Sequence, residues 1–151
     1  MGNLGDFFPN DVKENSIINL LIPGSVIKLL AKETKPKPKK KRFIVIGKDN
    51  NNNFIGVVYI NSEINFNVIN NPELLRLQHK IEKSDNDFLD WESSVDCSKI
   101  VVLSYELVKK EMLEDISNIL GNVKTIDLEK IVELVKSSTN ISPKELKSVG
   151  L

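Results

Sequence analysis

The sequence has a single cysteine, Cys97, which excludes an internal disulfide and fits a reducing compartment. It has a single histidine, His79, which excludes an all-histidine zinc site, and His79 and Cys97 lack the spacing of a metal motif. Neither a metal nor another cofactor is expected. There is no Gly-rich phosphate loop. The apolar runs fall far short of the roughly 18 residues a membrane span needs. The opening MGNLGDFFPN lacks the basic and apolar regions of a signal peptide, and Asp6 stands where a myristoylation signal requires Ser or Thr. The expectation is therefore a cytoplasmic protein with no membrane partner. Aromatic residues are only 6% of the chain and none interleave the lysines, which argues against a stacking platform for single strands.

What is present is a globular composition, 40% hydrophobic and 28% charged, on 151 residues, a length suited to one domain with a real core. The formal net charge is zero, yet the charges are segregated. Residues 24–48 hold nine Lys/Arg and one Glu; residues 84–130 hold eleven Asp/Glu and five Lys. A basic side and an acidic side are implied.

Residues 1–22 read as an N-terminal extension, with Asn10 placed to cap a short helix over 11–21 and Pro23-Gly24 ending it. A single domain follows over 23–151. SVIKLLA (25–31) suits a strand, whereas KETKPKPKKK (32–41) is too rich in Pro and Lys for one and reads as an exposed loop. RFIVIG (42–47) is a buried strand, KDNNNN (48–53) a hairpin turn and FIGVVYI (54–60) a third strand, in which Gly56 signals a bulge or a close backbone approach. Loops this short make the three strands an antiparallel meander. Further strand is expected at 64–69 and 75–81, with a final strand at 100–103. Helices are expected at 105–116, capped by Ser104, from Thr125 onward with Thr125 or Asp127 as cap, and after the Ser142-Pro143-Lys144-Glu145 capping signal. Gly121 should stop or kink the first of these. The fold class is α+β: a small antiparallel barrel or half-barrel with C-terminal helices.

Lys35, Lys37, Lys39, Lys40, Lys41 and Arg42 form the one unusual cluster. Flexible lysines attract nucleic acid through counterion release. Arg42, at the rigid base of the loop, can hold a planar fork against a phosphate and stabilise charge there. A solvated loop explains the same residues without function. Cys97 suits a packed side chain better than a nucleophile paired with His79, and His79 suits an ordinary strand position or a ligand contact. Phe88, Leu89 and Trp91 suit either a core or a partner-binding segment.

The pattern PGSVIKLL (23–30), a Lys-Pro loop, KKRFIVIG (40–47) and GVVYINS (56–62) resembles the MazF/PemK endoribonucleases, toxins built on small SH3-like barrels. The likeness continues through SSVDCSKIVVL (93–103), LG (120–121) and LEKIVELV (128–135) and covers roughly residues 23–137. Phe43 replaces the family's proline, Asn61-Ser62 replaces Thr-Ser, and the N-terminal extension lies outside the pattern. The resemblance implies metal-independent cleavage of single-stranded RNA through attack of its own 2′-OH. It maps the catalytic groups onto Arg42 and Ser62 and makes Lys35, Lys37, Lys39, Lys40, Lys41 and His79 RNA-binding candidates. It also implies a homodimer and an antitoxin protein as partners. The alternative is a catalytically inactive barrel that serves as a protein-interaction module or a gyrase-poison-like toxin.

Overall fold

A computed structural model describes residues 21–31, 39–62, 64, 69–89 and 92–151. The β-branched runs form β1 (Ser25–Ala31), β2 (Lys39–Lys48) and β3 (Phe54–Asn61), paired antiparallel as a meander. After helix α1 (Pro72–Arg76) come β4 (Gln78–Ile81), β5 (Ser93–Asp96) and β6 (Val101–Ser104). Helix α2 (Tyr105–Glu114), β7 (Ile119–Asn122), α3 (Thr125–Ser137) and α4 (Pro143–Ser148) complete the chain. The strands join in one antiparallel sheet, ordered β4-β5-β3-β2-β1-β7, with β6 also on β3. It curls into a half-barrel, and the helices lie mostly in the C-terminal part of the chain, with α2 inserted before β7.

Period-2 alternation decides what each face buries. Val26, Ile44, Ile46, Val58, Ile60 and Val95 point to one side and form a core with Ile131, Leu134 and Val135 of α3. Ile27, Leu29, Phe43, Val45, Ile55, Val57 and Tyr59 point to the other and pack against Tyr105, Val108 and Met112 of α2. Both faces are thus helix-covered, which is why β2 and β3 read as continuous apolar runs rather than as alternating ones.

The β2–β3 turn closes as its composition predicts. The Asp49 carboxylate accepts the N–H groups of Asn53 and Phe54, and Asn52 adopts a φ of 56°. Gly56 is opposite Gly47 beside a register shift, and the pair leaves a slot on the sheet. Val149, just past α4, is fully buried in it. The α4 terminus wraps as a Schellman motif: Gly150 N–H reaches the Lys147 carbonyl, and Leu151 N–H reaches that of Leu146. The expected capping box is present, with the Ser142 hydroxyl and the Glu145 carboxylate each accepting the other's backbone N–H.

Several expectations are corrected. β2 begins at Lys39, because the prolines that forbid a strand end at position 38 and the three lysines after them are free to pair with β1. The segment 75–81 is not one strand. Asn71 caps α1 through the N–H of Leu74 with Pro72 in the first turn, and only Gln78–Ile81 is extended. The strand at 100–103 is not the last. Gly121 neither stops nor kinks a helix but pairs with Val26 in β7. The first helix ends at Glu114 rather than 116. Neither Thr125 nor Asp127 caps α3; Thr125 is its first residue, and no side chain caps it. The expected helix at 11–21 lies outside the described residues save Leu21, which is buried. So does the strand at 64–69 apart from Ile64 and Ile69, neither of which is in a strand.

Candidate nucleic-acid interface

Cross-strand partners share a face, so register places the charged residues. Lys28 is opposite Arg42, Arg42 opposite Ile60, Ile60 opposite Val95 and Val95 opposite His79. These five form one row on the α3 side of the sheet. Arg42 is half-buried and engaged in an interaction of its own. The strand on each side fixes its backbone, so this cation is held by the sheet and not by a loop. Ser62 is exposed and follows β3 directly, two residues beyond the partner of Arg42.

His79 sits at the other end of the row. Three strand spacings separate it from Arg42, roughly 14 Å along the sheet. Its Nε2 meets Asp127 Oδ1 at 2.9 Å, and both side chains are only 19% exposed. This contact joins β4 to the first turn of α3 and takes up the carboxylate expected to cap that helix. His79 therefore lies apart from Arg42 and Ser62.

The lysines diverge. Lys35 and Lys37 lie outside the described residues, and Lys39 starts β2. Lys40 and Lys41, being adjacent on a strand, take opposite directions. Lys40 donates to Asn118 Oδ1 at 3.3 Å and lines an open groove of about 670 Å³ beside α2. Leu29, Leu30, Leu107 and Val108 give that groove an apolar wall, and Glu111, Glu114 and Asp115 give it an acidic one. The Asp115 carboxyl is held below its usual range, chiefly by the Ser117 hydroxyl, then by the Ser117 N–H, with the charge of Lys40 adding. Lys41 leaves β2 on the face that bears Phe43, with its Nζ 5.6 Å from the Tyr59 ring centre. Lys99, which the sequence shows only as an isolated lysine, reaches the same ring at 5.1 Å.

Cys97 is fully buried, and its thiol is pushed up to about 12, first by burial and then by the charge of Asp96. It is a packed side chain, with no thiolate at neutral pH. Because the ordinary thiol value is 9.0, the unfolded chain ionises first as the pH rises, and the folded state loses stability between about pH 9 and 12. The slope from this one group is about 1.4 kcal/mol per pH unit. Urea midpoints measured across that window should fall more steeply for the parent than for Cys97→Ala; parallel profiles would contradict this.

Phe88 and Leu89 join the core on the α3 side, and Trp91 lies outside the described residues. Among the described residues, no three His, Cys, Asp or Glu gather to hold a metal, and no helix is long and apolar enough to cross a membrane. No protein-family model matches the chain, and no curated protein matches it.

Proposed function

We propose that this chain is a metal-independent endoribonuclease of the MazF/PemK toxin kind, acting on single-stranded RNA at the basic end of β1 and β2. The observation that carries it is the placement of Arg42: fixed by pairing on both sides, with Lys28 opposite it on β1 and Ser62 just past its partner on β3. Cleavage of this type needs little from the protein beyond positioning and charge stabilisation. The 2′-OH attacks the adjacent phosphorus, and the bond to the 5′ oxygen breaks. The 2′-OH gives up its proton and the departing 5′ oxygen gains one, leaving a 2′,3′-cyclic phosphate and a 5′-hydroxyl. Arg42 neutralises charge on a non-bridging oxygen, and Ser62 donates a hydrogen bond to the phosphate. The protein acts in the cytoplasm as a homodimer restrained by an antitoxin protein; a strict monomer in sedimentation would contradict the dimer.

Induced expression in bacteria tests this directly. Growth arrest with new 5′-hydroxyl ends at a shared short sequence is expected, and neither should occur with Arg42→Ala. Arrest without new RNA ends would instead favour a docking module or a gyrase-poison-like toxin. The specific observation on that side is the α2 groove, where Lys40 donates to Asn118 Oδ1 beside the carboxylates of Glu111, Glu114 and Asp115.

A further inference from the structure

The far edge of β3 is shared. Its first half, Phe54–Val57, pairs with β6, while Ile60 and Asn61 pair with β5. The link between β5 and β6 must therefore pass the middle of β3, where Tyr59 lies. That link is firmly held. Cys97 N–H donates to the Leu77 carbonyl at 2.9 Å, Ser98 donates through both N–H and hydroxyl to Asp96 Oδ1, and the Ser138 hydroxyl donates to the Ser98 carbonyl at 2.8 Å. Cys97, Ser98 and Ile100 are all buried, and Lys99 alone in this stretch is exposed. Its stem thus leaves from a rigid base beside Tyr59.

Lys41 arrives at the same ring from β2, two residues before Phe43, which is opposite Tyr59 with the ring centres 4.6 Å apart. Two ammonium groups so converge on one aromatic ring. Among the described residues, neither meets a carboxylate, and Asp96, the acid nearest in sequence to Lys99, is taken up by Ser98 and Gln78. A cation over an aromatic face is attracted to the ring, and the repulsion between two like charges held near one ring opposes that gain. An anion accepting from both would reverse the repulsion.

We propose that Lys41 and Lys99, converging on Tyr59, form a phosphate-binding subsite. The inference rests on the ribonuclease reading for the identity of the ligand, a phosphodiester of single-stranded RNA one register position from Arg42. Tyr59 is only 7% exposed, so the ring cannot stack a base and serves to hold the two stems. The subsite therefore grips backbone and is indifferent to sequence. Because Lys41 and Arg42 alternate across β2, a strand of RNA crossing the Lys39 end of β2 meets a cation on each face.

The test measures RNA affinity against salt for the parent, Lys41→Gln, Lys99→Gln, the double variant and, as a control, Lys144→Gln on α4. Each glutamine keeps most of the stem and removes the charge. The logarithmic salt slope should fall by about 0.7 for the double variant, the value for one phosphate contact on a single strand, and by part of that for each single variant, with Lys144→Gln unchanged. If the parent binds RNA with salt dependence and the slopes of the Lys41 and Lys99 variants do not move, the subsite is wrong and the ribonuclease reading survives. If the parent shows no salt-dependent RNA binding, that reading fails, and titration with inorganic phosphate decides the subsite. Shifts of the Lys41 and Lys99 side-chain resonances would then assign it to a free phosphate group, and unmoved resonances would overturn it.

Discussion

Gly47→Ala is expected to destabilise the fold by about 3 kcal/mol, lowering the melting temperature by roughly 6–12 °C. A Cβ at this position would lie 2.3 Å from the carbonyl oxygen of Val149. The obstacle is backbone, so no rotamer relieves it. Either β2 shifts out of register with β3, or the C-terminal segment leaves its slot and exposes Val149, which is fully buried. Burying a valine is worth about 1.5–3 kcal/mol, so losing it accounts for much of the expected effect. Gly56→Ala should cost less, about 1–2 kcal/mol, because its Cβ would meet only side-chain carbons of Val149, at 3.0 Å. A double-mutant cycle separates the two. Val149→Ala should partly offset Gly56→Ala and leave the cost of Gly47→Ala unchanged. Equal rescue of both glycine variants would contradict the seating of the C-terminal segment. Chemical denaturation at a fixed protein concentration supplies all of these values.

The second large effect concerns Arg42. Arg42→Ala should lower the RNA cleavage rate by about 10²–10³, the usual loss when one preorganised donor to a developing anion is removed. Arg42→Lys should recover only part of it, since an ammonium keeps the charge but not the planar fork. Binding should suffer less than turnover if Arg42 acts mainly on the transition state, so the deficit should appear in kcat more than in KM. Arg42 also has an interaction of its own within the fold, and circular dichroism with thermal melts of each variant shows whether any lost activity is merely lost structure. Ser62→Ala, at an exposed position past the strand, should leave stability unchanged and lower kcat by a smaller factor.

The central meander was legible because its signals are local. β1 is bounded as its SVIKLLA run indicates, and the Asn/Asp turn closes through its own side chain. The paired glycines were half legible: Gly56 signalled a close approach, but only the fold reveals that the approaching group is Val149. The four-residue strands β5 and β7 were not assigned as strands, because their extended state comes from their neighbours. Gly121 breaks helices in isolation, yet it serves as a strand residue against Val26. Asp127 has the composition of a cap, and His79 draws it away. At the candidate site, a run of consecutive lysines looks like one basic surface. A strand divides it, sending Lys40 toward Asn118 and Lys41 toward Tyr59. Lys99 carried no signal in the sequence, since nothing short of the β3 edge sharing brings it to the same ring.

Incubation of the purified full chain with heterogeneous single-stranded RNA in excess EDTA, with every new end mapped and its chemistry identified, tests ribonuclease action most directly. Cleavage at defined sites, leaving 5′-hydroxyl and 2′,3′-cyclic phosphate ends and abolished by Arg42→Ala, is the predicted result. Intact RNA, or cleavage that persists unchanged in Arg42→Ala, would contradict it.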